Sequence, residues 1–264
     1  MSKPNVLVLR APGTNCDQET AFAFEKAGAT TELLHVNRLL ENPSLFERFQ
    51  ILCIPGGFSY GDDVAAGRIL ANQMEHHLAD EMKRFKDADK LILGICNGFQ
   101  VLVKSGALLE PDADCRAAAT LTWNDSHRFD DRWVELGVDR QKCVFLKGIE
   151  RMYLPIAHAE GKFVARDEEE FVRLDTAGQL VLRYRPTDGS GRDDLNAPVP
   201  YPANPNGSMG NVAGVCDPTG RVLGLMPHPE RHIERTHHPR WTRSETTSTG
   251  DGLQVFVNAV AFFM

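Results

Sequence analysis

Continuous apolar runs alternate with segments of helical spacing through the amino-terminal part of the chain. Unbroken apolar runs of this kind are typical of parallel strands that helices cover on both faces. The pattern therefore predicts an α/β fold whose sheet is mostly parallel and flanked by helices. The predicted strands are 5–10, 30–36, 50–54 and 90–95, and the predicted helices are 17–26 and 69–85.

The carboxy-terminal part of the chain has a less regular pattern. Residues 111–141 combine tryptophans with many charges and predict no definite element. Residues 187–205 are so rich in Gly, Pro, Asp and Asn that they predict a long loop. Strands are predicted again at 212–216 and 221–225, and a last helix is predicted from Leu253.

Length and charge limit the class of protein. The length of 264 residues is ordinary for one domain, and neither repeats nor a linker interrupt it, so we expect a single domain spanning 1–264. Lys and Arg number 29 against 36 Asp and Glu, which gives a formal net charge of −7. Because affinity for phosphate backbones depends on clustered basic residues, this balance argues against a nucleic-acid surface.

The cysteines and the apolar runs bear on where the protein acts. Six cysteines are scattered along the chain without CxxC pairs, which favours reduced thiols over a disulfide framework. The chain begins without a signal-peptide pattern, and its apolar runs are too short to cross a bilayer. We therefore expect a cytoplasmic protein with no membrane association and no metal site.

The most informative segment surrounds Cys96. An apolar strand runs into Gly-x-Cys-x-Gly and then into a helical pattern, which is the arrangement of a nucleophile elbow with a thiol at its tip. Gly94 and Gly98 are needed because side chains in so sharp a turn would collide with neighbouring backbone. The unpaired N–H groups at a helix start favour the thiolate, which is the nucleophilic form. We predict that Cys96 is a nucleophile, whereas Cys53 lies inside a buried strand.

A thiolate nucleophile needs a proton carrier, and two His-x-Glu pairs compete for that role. His228 and Glu230 follow an apolar strand, and Pro229 between them favours an extended backbone, in which residues i and i+2 project to the same side. His158 and Glu160 also follow an apolar run. Either pair would supply the base and the orienting carboxylate of a catalytic triad. Spacing alone does not choose between them.

Taken together, GICNGFQ around Cys96 and MPHPER at 226–231 resemble the class I glutamine amidotransferases. A narrower resemblance is to the glutaminase subunits of phosphoribosylformylglycinamidine synthases, which belong to purine biosynthesis. It runs through most of the chain and implies a flavodoxin-like three-layer sandwich with a mostly parallel sheet. The further segments that carry it are GTNCD at 13–17, PGGFSYGDD at 55–63, LPIAHAEGKF at 154–163 and NPNGS at 204–208.

The resemblance implies a catalytic role for three residues. Cys96 corresponds to the nucleophile, His228 to the general base and acid, and Glu230 to the carboxylate that orients the imidazole. The competing His158 is then not the catalytic base. The segment HAEG at 158–161 would instead either shape the site or face the partner, without a specific role for Glu160.

The resemblance also implies how the substrate is held. The oxyanion hole would be formed by the backbone N–H groups of Gly57 and Asn97, which is the kind of donor pair that stabilises a developing charge. Glutamine would be bound by Gln100, Phe58 and Ser59.

The partners implied are glutamine and a synthetase large subunit, with or without a small bridging subunit. The chain itself would need no cofactor, because ATP and Mg would be bound by the synthetase partner. Ammonia released from glutamine would pass to that partner, which converts formylglycinamide ribonucleotide to formylglycinamidine ribonucleotide.

Three stretches depart from the family pattern: 187–203 and 236–250 look like insertions, and 120–140 has few matches. The sequence leaves other functions open. The chain could be an amidotransferase domain that serves another acceptor, or a stand-alone thiol hydrolase. A catalytically silent regulatory subunit is a further alternative, against which the intact Cys96, His228 and Glu230 argue.

Overall fold

The computed structural model describes residues 3–138, 142–187, 197–243 and 249–264. Within these ranges the chain forms eleven strands and seven α-helices, joined by short 3₁₀ helices that include Ser59–Asp62 and Pro229–Arg231. The strands are β1 (Asn5–Arg10), β2 (Thr30–His35), β3 (Ile51–Ile54), β4 (Leu91–Ile95), β5 (Ala119–Thr122), β6 (Asp130–Val138), β7 (Arg151–His158), β8 (Lys162–Ala165), β9 (Leu182–Arg185), β10 (Val212–Cys216) and β11 (Val222–Leu225). The α-helices are α1 (Asp17–Lys26), α2 (Val36–Glu41), α3 (Arg68–His77), α4 (Ala79–Asp87), α5 (Asn97–Lys104), α6 (Glu168–Thr176) and α7 (Leu253–Ala261).

Nine of the described strands form one sheet, in the order β2-β1-β3-β4-β11-β10-β9-β6-β7. The five strands from β2 to β11 are parallel to their neighbours, and every pair from β11 to β7 is antiparallel. A small second sheet pairs β5 with β8. β4 and β11 are adjacent and parallel, with Ile95 opposite Leu225. Their carboxyl ends therefore meet at the edge where open α/β sheets bind ligands.

The predicted α/β fold, with a large sheet that contains parallel strands and is flanked by helices, is confirmed, and four of the eight strand pairings described in that sheet are parallel. The amino-terminal strands and helices occur where the apolar pattern predicts them, within a residue or two. The helix predicted at 69–85 is divided into α3 and α4, because Leu78 leaves the helical region with φ −128° and ψ 11°. The strands predicted at 212–216 and 221–225 and the last helix are also present.

Three antiparallel strands of the large sheet, β6, β7 and β9, went unpredicted, and the burial patterns of β6 and β7 explain why these two did. Buried and half-buried residues alternate along β7, and β6 is only partly covered. Such strands carry polar residues on one face, so their sequences lack the continuous apolar runs of the parallel half. Ion pairs such as Arg132–Asp130 lie within β6 itself, with nitrogen and oxygen 2.7 Å apart.

The sheet core is closed on both faces. Successive residues of a strand point to opposite faces, and yet all four central residues of β1, 6–9, are buried. α1 packs on α7, where the rings of Phe24 and Phe256 lie edge to face with centroids 4.9 Å apart. α5 packs on β3, β4 and β11 and also contacts α3. This packing holds α5 rigidly at the carboxyl end of β4.

The two predicted insertions are only partly described: residues 188–196 and 244–248 lie outside the described residues. In the described part of the second insertion, the ring of His238 packs edge-on against Trp133 of β6, with centroids 4.5 Å apart. No α-helix in the described ranges has the length and apolarity that crossing a membrane requires.

Candidate active site

Cys96 occupies a strained turn between β4 and α5. Its backbone has φ 50° and ψ −104°, a conformation that is costly for a residue with a side chain and that persists mostly at functional sites. Two glycines allow the turn to close. A Cβ at Gly98 would lie 1.8 Å from the carbonyl oxygen of Ile54, and one at Gly94 would lie 2.7 Å from that of Gly98. The predicted sequence of strand, elbow and helix is confirmed.

The Cys96 side chain lines a cleft of about 260 Å³. This volume is close to the lower end of the range for small-molecule sites, about 300–1,000 Å³, and suits a small substrate. The thiol is 5% exposed and lies 3.7 Å from the carbonyl oxygen of Ala157. The cleft walls come from the glycine-rich loop after β3, the first turn of α5, Trp123 and residues 157–160 at the end of β7.

His228 and Glu230 form a buried pair just beyond β11. Nδ1 of His228 lies 2.6 Å from Oε1 of Glu230, and each residue is 2% exposed. Burial opposes a charged imidazole, but the Glu230 carboxylate and then the neighbouring Cys96 raise the pKa of His228 well above its usual value. Within the described chain, Nε2 has no hydrogen-bond partner. An imidazole oriented at Nδ1 and free at Nε2 is able to accept and return a proton.

The side chains of His158 and Glu160, the competing candidates, have different partners in the structure. Nδ1 of His158 lies 3.1 Å from Oδ1 of Asn124, while the Glu160 carboxylate lies 3.9 Å from the Lys104 ammonium. Burial, aided by the charge of His228, lowers the pKa of His158 to about 3. His158 therefore remains neutral near pH 7, and no carboxylate orients its ring. Two segments with the same His-x-Glu spacing thus have different surroundings.

The two residues predicted to form the oxyanion hole come from different segments: Gly57 lies in the loop after β3, and Asn97 directly follows Cys96. Gly57 lines the cleft with φ 143°, and a Cβ there would lie 2.8 Å from the carbonyl oxygen of Gly13. Only glycine fits this close approach of two loops. Asn97 is the first residue of α5, so its N–H has no acceptor within the helix. The oxyanion role of both N–H groups stays a prediction.

The three residues predicted to bind glutamine occupy different environments. Phe58 and Gln100 line the cleft. The Gln100 side chain donates from Nε2 to the carbonyl oxygen of Glu160 at 2.8 Å and accepts from Asn97 at 3.0 Å. Ser59 is buried, and its backbone N–H donates to Oδ1 of Asn97 at 3.3 Å. Ser59 therefore links the buried side of the loop to Asn97 of α5.

Sequence reasoning missed Asp62 and left Glu160 without a role. Both carboxylates line the cleft. Burial and the charge of Glu160 raise the pKa of Asp62 to about 6, although the Asn97 side chain donates a hydrogen bond to it at 3.0 Å. The signal available in the sequence was a pair of aspartates ending the glycine-rich loop PGGFSYGDD.

Sequence reasoning also missed that Cys16 lies beside the catalytic candidates. Its sulfur and the ligand atoms of His228 and Glu230 lie within 4.8 Å of one another, and Arg231 donates to the sulfur at 3.1 Å. Burial raises the pKa of Cys16, which disfavours its thiolate. A metal ion could bridge atoms at this spacing, but the 2.6 Å hydrogen bond already joins two of them, and we assign no metal here.

A larger depression, of about 410 Å³, lies at the opposite ends of β4 and β11. Its lining carries several charges, some of which form ion pairs: Lys86 with Glu110 at 3.2 Å, and Arg221 with Asp89 outside the lining at 3.0 Å. Its lining contains no cysteine or histidine. The smaller cleft at Cys96 is therefore the candidate active site.

A family model for the CobB/CobQ-like glutamine amidotransferase domain matches residues 3–263, and the chain belongs to this family of glutamine amidotransferases. Within the family, it is 48% identical over 261 residues to the Dehalococcoides mccartyi protein named phosphoribosylformylglycinamidine synthase subunit PurQ, an alignment that covers 98% of each chain. A Methanococcus maripaludis protein of the same name is 39% identical over 271 residues, which cover 98% of this chain and 97% of that one.

Solved structures agree with this grouping. A chain in the structure described as PurLQS from Thermotoga maritima superposes with a TM-score of 0.74 at 30% identity, covering 100% of both chains. Another glutamine amidotransferase from Thermotoga maritima, at 15% identity and a TM-score of 0.52 over 92% of this chain and 82% of that one, shares the fold alone. The resemblance to class I glutamine amidotransferases, and the narrower one to a subunit of phosphoribosylformylglycinamidine synthase, are confirmed.

Proposed function

We propose that this chain is the glutaminase subunit of a phosphoribosylformylglycinamidine synthase. The observation that carries the proposal is the elbow cysteine, Cys96, in a cleft beside the buried hydrogen-bonded pair His228 and Glu230. A nucleophile, a base and an orienting carboxylate are the components of covalent acyl transfer. Relatives at 39–48% identity that span nearly the whole chain bear the name of this synthase subunit.

The first half of the reaction forms a thioester. The Cys96 thiolate attacks the side-chain amide carbon of glutamine, and the carbonyl oxygen becomes an oxyanion held by the N–H groups of Gly57 and Asn97. The His228 imidazolium then donates its proton to the departing nitrogen, and the C–N bond breaks to release ammonia. Glu230 holds the ring so that Nε2 faces the reacting atoms.

The second half regenerates the enzyme. His228, now neutral, removes a proton from a water molecule that attacks the thioester carbon, and the C–S bond breaks. The new carboxyl group leaves as glutamate and releases its proton to water, while the proton on His228 again pairs with the Cys96 thiolate. One glutamine and one water thus give one glutamate and one ammonia, and no cofactor of this chain enters either half.

The ammonia serves a partner. In a synthase of this kind, a synthetase large subunit uses ATP and Mg to activate formylglycinamide ribonucleotide, and ammonia converts it to formylglycinamidine ribonucleotide. A small bridging subunit completes the assembly that the name PurLQS describes for Thermotoga maritima. We place the chain in the cytoplasm, as one domain spanning 1–264. It delivers ammonia directly to the partner, because ammonia released into water becomes ammonium, which is not a nucleophile.

Coupling requires that hydrolysis start only when the partner is loaded. The loop PGGFSYGDD supplies one oxyanion donor and contains non-glycine residues at positive φ, Tyr60 at 56° and Asp62 at 54°. Such strained backbone is often part of a switching element. We infer that the partner seats this loop, which is a gating step of the kind that many enzymes use.

The test is steady-state glutamine hydrolysis by the purified chain alone, and then by the chain with its synthetase partner, ATP and formylglycinamide ribonucleotide. A large rise in rate on full assembly is expected, with amidine product formed in step with glutamate. Activity that does not change on assembly would favour a stand-alone thiol hydrolase. Glutamate formed without amidine, but with amination of a different acceptor, would favour an amidotransferase that serves that acceptor.

A further inference from the structure

Two carboxylates from separate elements converge on the wall of the cleft that contains the nucleophile. Asp62 ends the 3₁₀ helix after β3, and Glu160 follows β7. Both line the cleft together with Cys96. The Glu160 side chain is 12% exposed, and Asp62 is half-buried. These are therefore enclosed acids in a substrate cleft, unlike the solvated acids of the surface.

Hydrogen bonds from the backbone and from α5 hold both carboxylates in place. The Asn97 side chain donates to Oδ1 of Asp62 at 3.0 Å. The backbone N–H of Ala66 donates to Oε2 of Glu160 at 3.2 Å. Asp62 is thus held by the first residue of α5, the helix that follows Cys96, and Glu160 is held by the loop between β3 and α3. Oε1 of Glu160 is not used by either of these bonds.

The one buried lysine nearby does not neutralise both acids. The Lys104 ammonium donates to the carbonyl oxygen of Ala66 at 2.5 Å and lies 3.9 Å from Oε2 of Glu160. With Asp62 and Glu160 ionised and Lys104 protonated, the enclosed groups carry two negative charges and one positive charge, and the further cation near Lys104, Arg68, is exposed to solvent. Enclosed charge without a counterion is costly. The cleft is therefore electrostatically complementary to a cationic group.

The two carboxylates share a cleft of about 260 Å³ with Cys96, so one small substrate can contact both the nucleophile and the acids. Gln100 lies one helical turn after Cys96, and its Nε2 donates to the carbonyl oxygen of Glu160 at 2.8 Å. The α-ammonium of glutamine stands three carbons beyond the amide carbon that Cys96 would attack. We propose that Asp62 and Glu160 bind the substrate's α-ammonium group and so restrict the enzyme to amides of α-amino acids. This inference rests on the proposed glutaminase function.

The test compares two substrates in the full complex: L-glutamine, and glutaramate, which is glutamine without its α-amino group. The variants are Asp62→Asn and Glu160→Gln, and the matched control is Asp63→Asn, because Asp63 is exposed in the same loop. Losing a hydrogen bond to a charged group reduces kcat/KM about 10- to 100-fold. We expect each variant to lose that factor for glutamine, mainly through KM, and to keep its kcat/KM for glutaramate. The control should match the wild type on both substrates.

The outcomes distinguish a failure of ammonium recognition from a failure of the proposed glutaminase function. If the wild type hydrolyses neither substrate, the glutaminase proposal fails. If it hydrolyses both with equal kcat/KM, or if the variants lose both substrates equally, glutaminase function stands and ammonium recognition is overturned. Protection of Cys96 from an electrophilic reagent supplies a second measurement that needs no turnover. Glutamine should protect the wild type better than glutaramate does, and Asp62→Asn should abolish the difference.

Discussion

Nδ1 of His228 lies 2.6 Å from Oε1 of Glu230, and both side chains are almost completely buried. This contact distinguishes the two His-x-Glu segments, since His158 is instead oriented by Asn124. The extended backbone around Pro229 allows residues two apart to meet. The same spacing at 158 and 160 gives no such contact, because Glu160 turns toward Lys104.

The first prediction separates these histidines kinetically. His228→Ala should slow thioester formation by about 10²–10⁴, the usual contribution of a general acid–base. His158→Ala should leave the rate per folded molecule within a few-fold of wild type, and should reduce stability because Asn124 loses a buried partner. Single-turnover release of ammonia, normalised to folded protein, measures both. An inactive His158→Ala variant together with an active His228→Ala variant would show that His158, and not His228, is the catalytic base.

The second prediction concerns the nucleophile. Cys96→Ala should abolish glutamine hydrolysis and keep the fold, and an electrophilic glutamine analogue should label Cys96 alone. Cys16 is a stringent internal control, since it also lies beside His228 but burial raises the pKa of its thiol. Peptide mass spectrometry locates the label. Modification at Cys16 or Cys53 in place of Cys96 would contradict the assignment.

The third prediction tests backbone strain at the elbow. Cys96→Gly and Cys96→Ala should both be inactive, but the glycine variant should be more stable, because φ 50° and ψ −104° suit only glycine. The difference in the free energy of unfolding should be about 1–3 kcal/mol. Denaturant melts of the two variants provide the measurement. Equal stability would mean that the turn relaxes once the thiol is gone.

The fourth prediction is a pH dependence of stability at Asp62. Burial and Glu160 raise the pKa of this carboxyl from 3.8 to about 6, so the folded state binds its proton more tightly than the unfolded state does. The stabilising contribution is full below pH 3.8 and is lost as pH rises through about 6. Asp62→Asn, which mimics the protonated form, should therefore melt modestly higher than wild type at pH 8. The gap should close below pH 4, and a pH-independent gap would refute this origin.

The fifth prediction addresses partner-dependent gating. Val64, 90% exposed, lies in the segment between the cleft residues Asp62 and Ala66. If the partner seats this loop, Val64→Asp should weaken activation by the partner and leave the low rate of the isolated chain unchanged. Val172→Asp, on the exposed face of α6, is the matched control. Activation curves against partner concentration distinguish them, and identical curves would place the contact elsewhere.

The features that the sequence predicted are those governed by local rules. Continuous apolar runs marked the parallel strands, and glycines on both sides of Cys96 marked the elbow, because a turn that sharp excludes side chains. The antiparallel strands β6 and β7 escaped notice because strands with a half-covered face carry polar residues that interrupt the apolar pattern. β9 escaped notice because two buried arginines, Arg183 and Arg185, alternate with its apolar residues. No glycine or proline lies at the break between α3 and α4 at Leu78, so the sequence did not indicate this break.

By itself, then, the sequence determined the α/β class, and it supplied the candidate nucleophile Cys96 and two equivalent candidates for its base. Only the tertiary structure decided that Glu230 bonds to its histidine and Glu160 does not. It also brought Asp62, Glu160 and Cys16, which lie far apart along the chain, to the cleft or to His228. The physical reason is that hydrogen bonding and charge act through space at a few ångströms, and sequence spacing fixes such distances only within one helix, strand or turn.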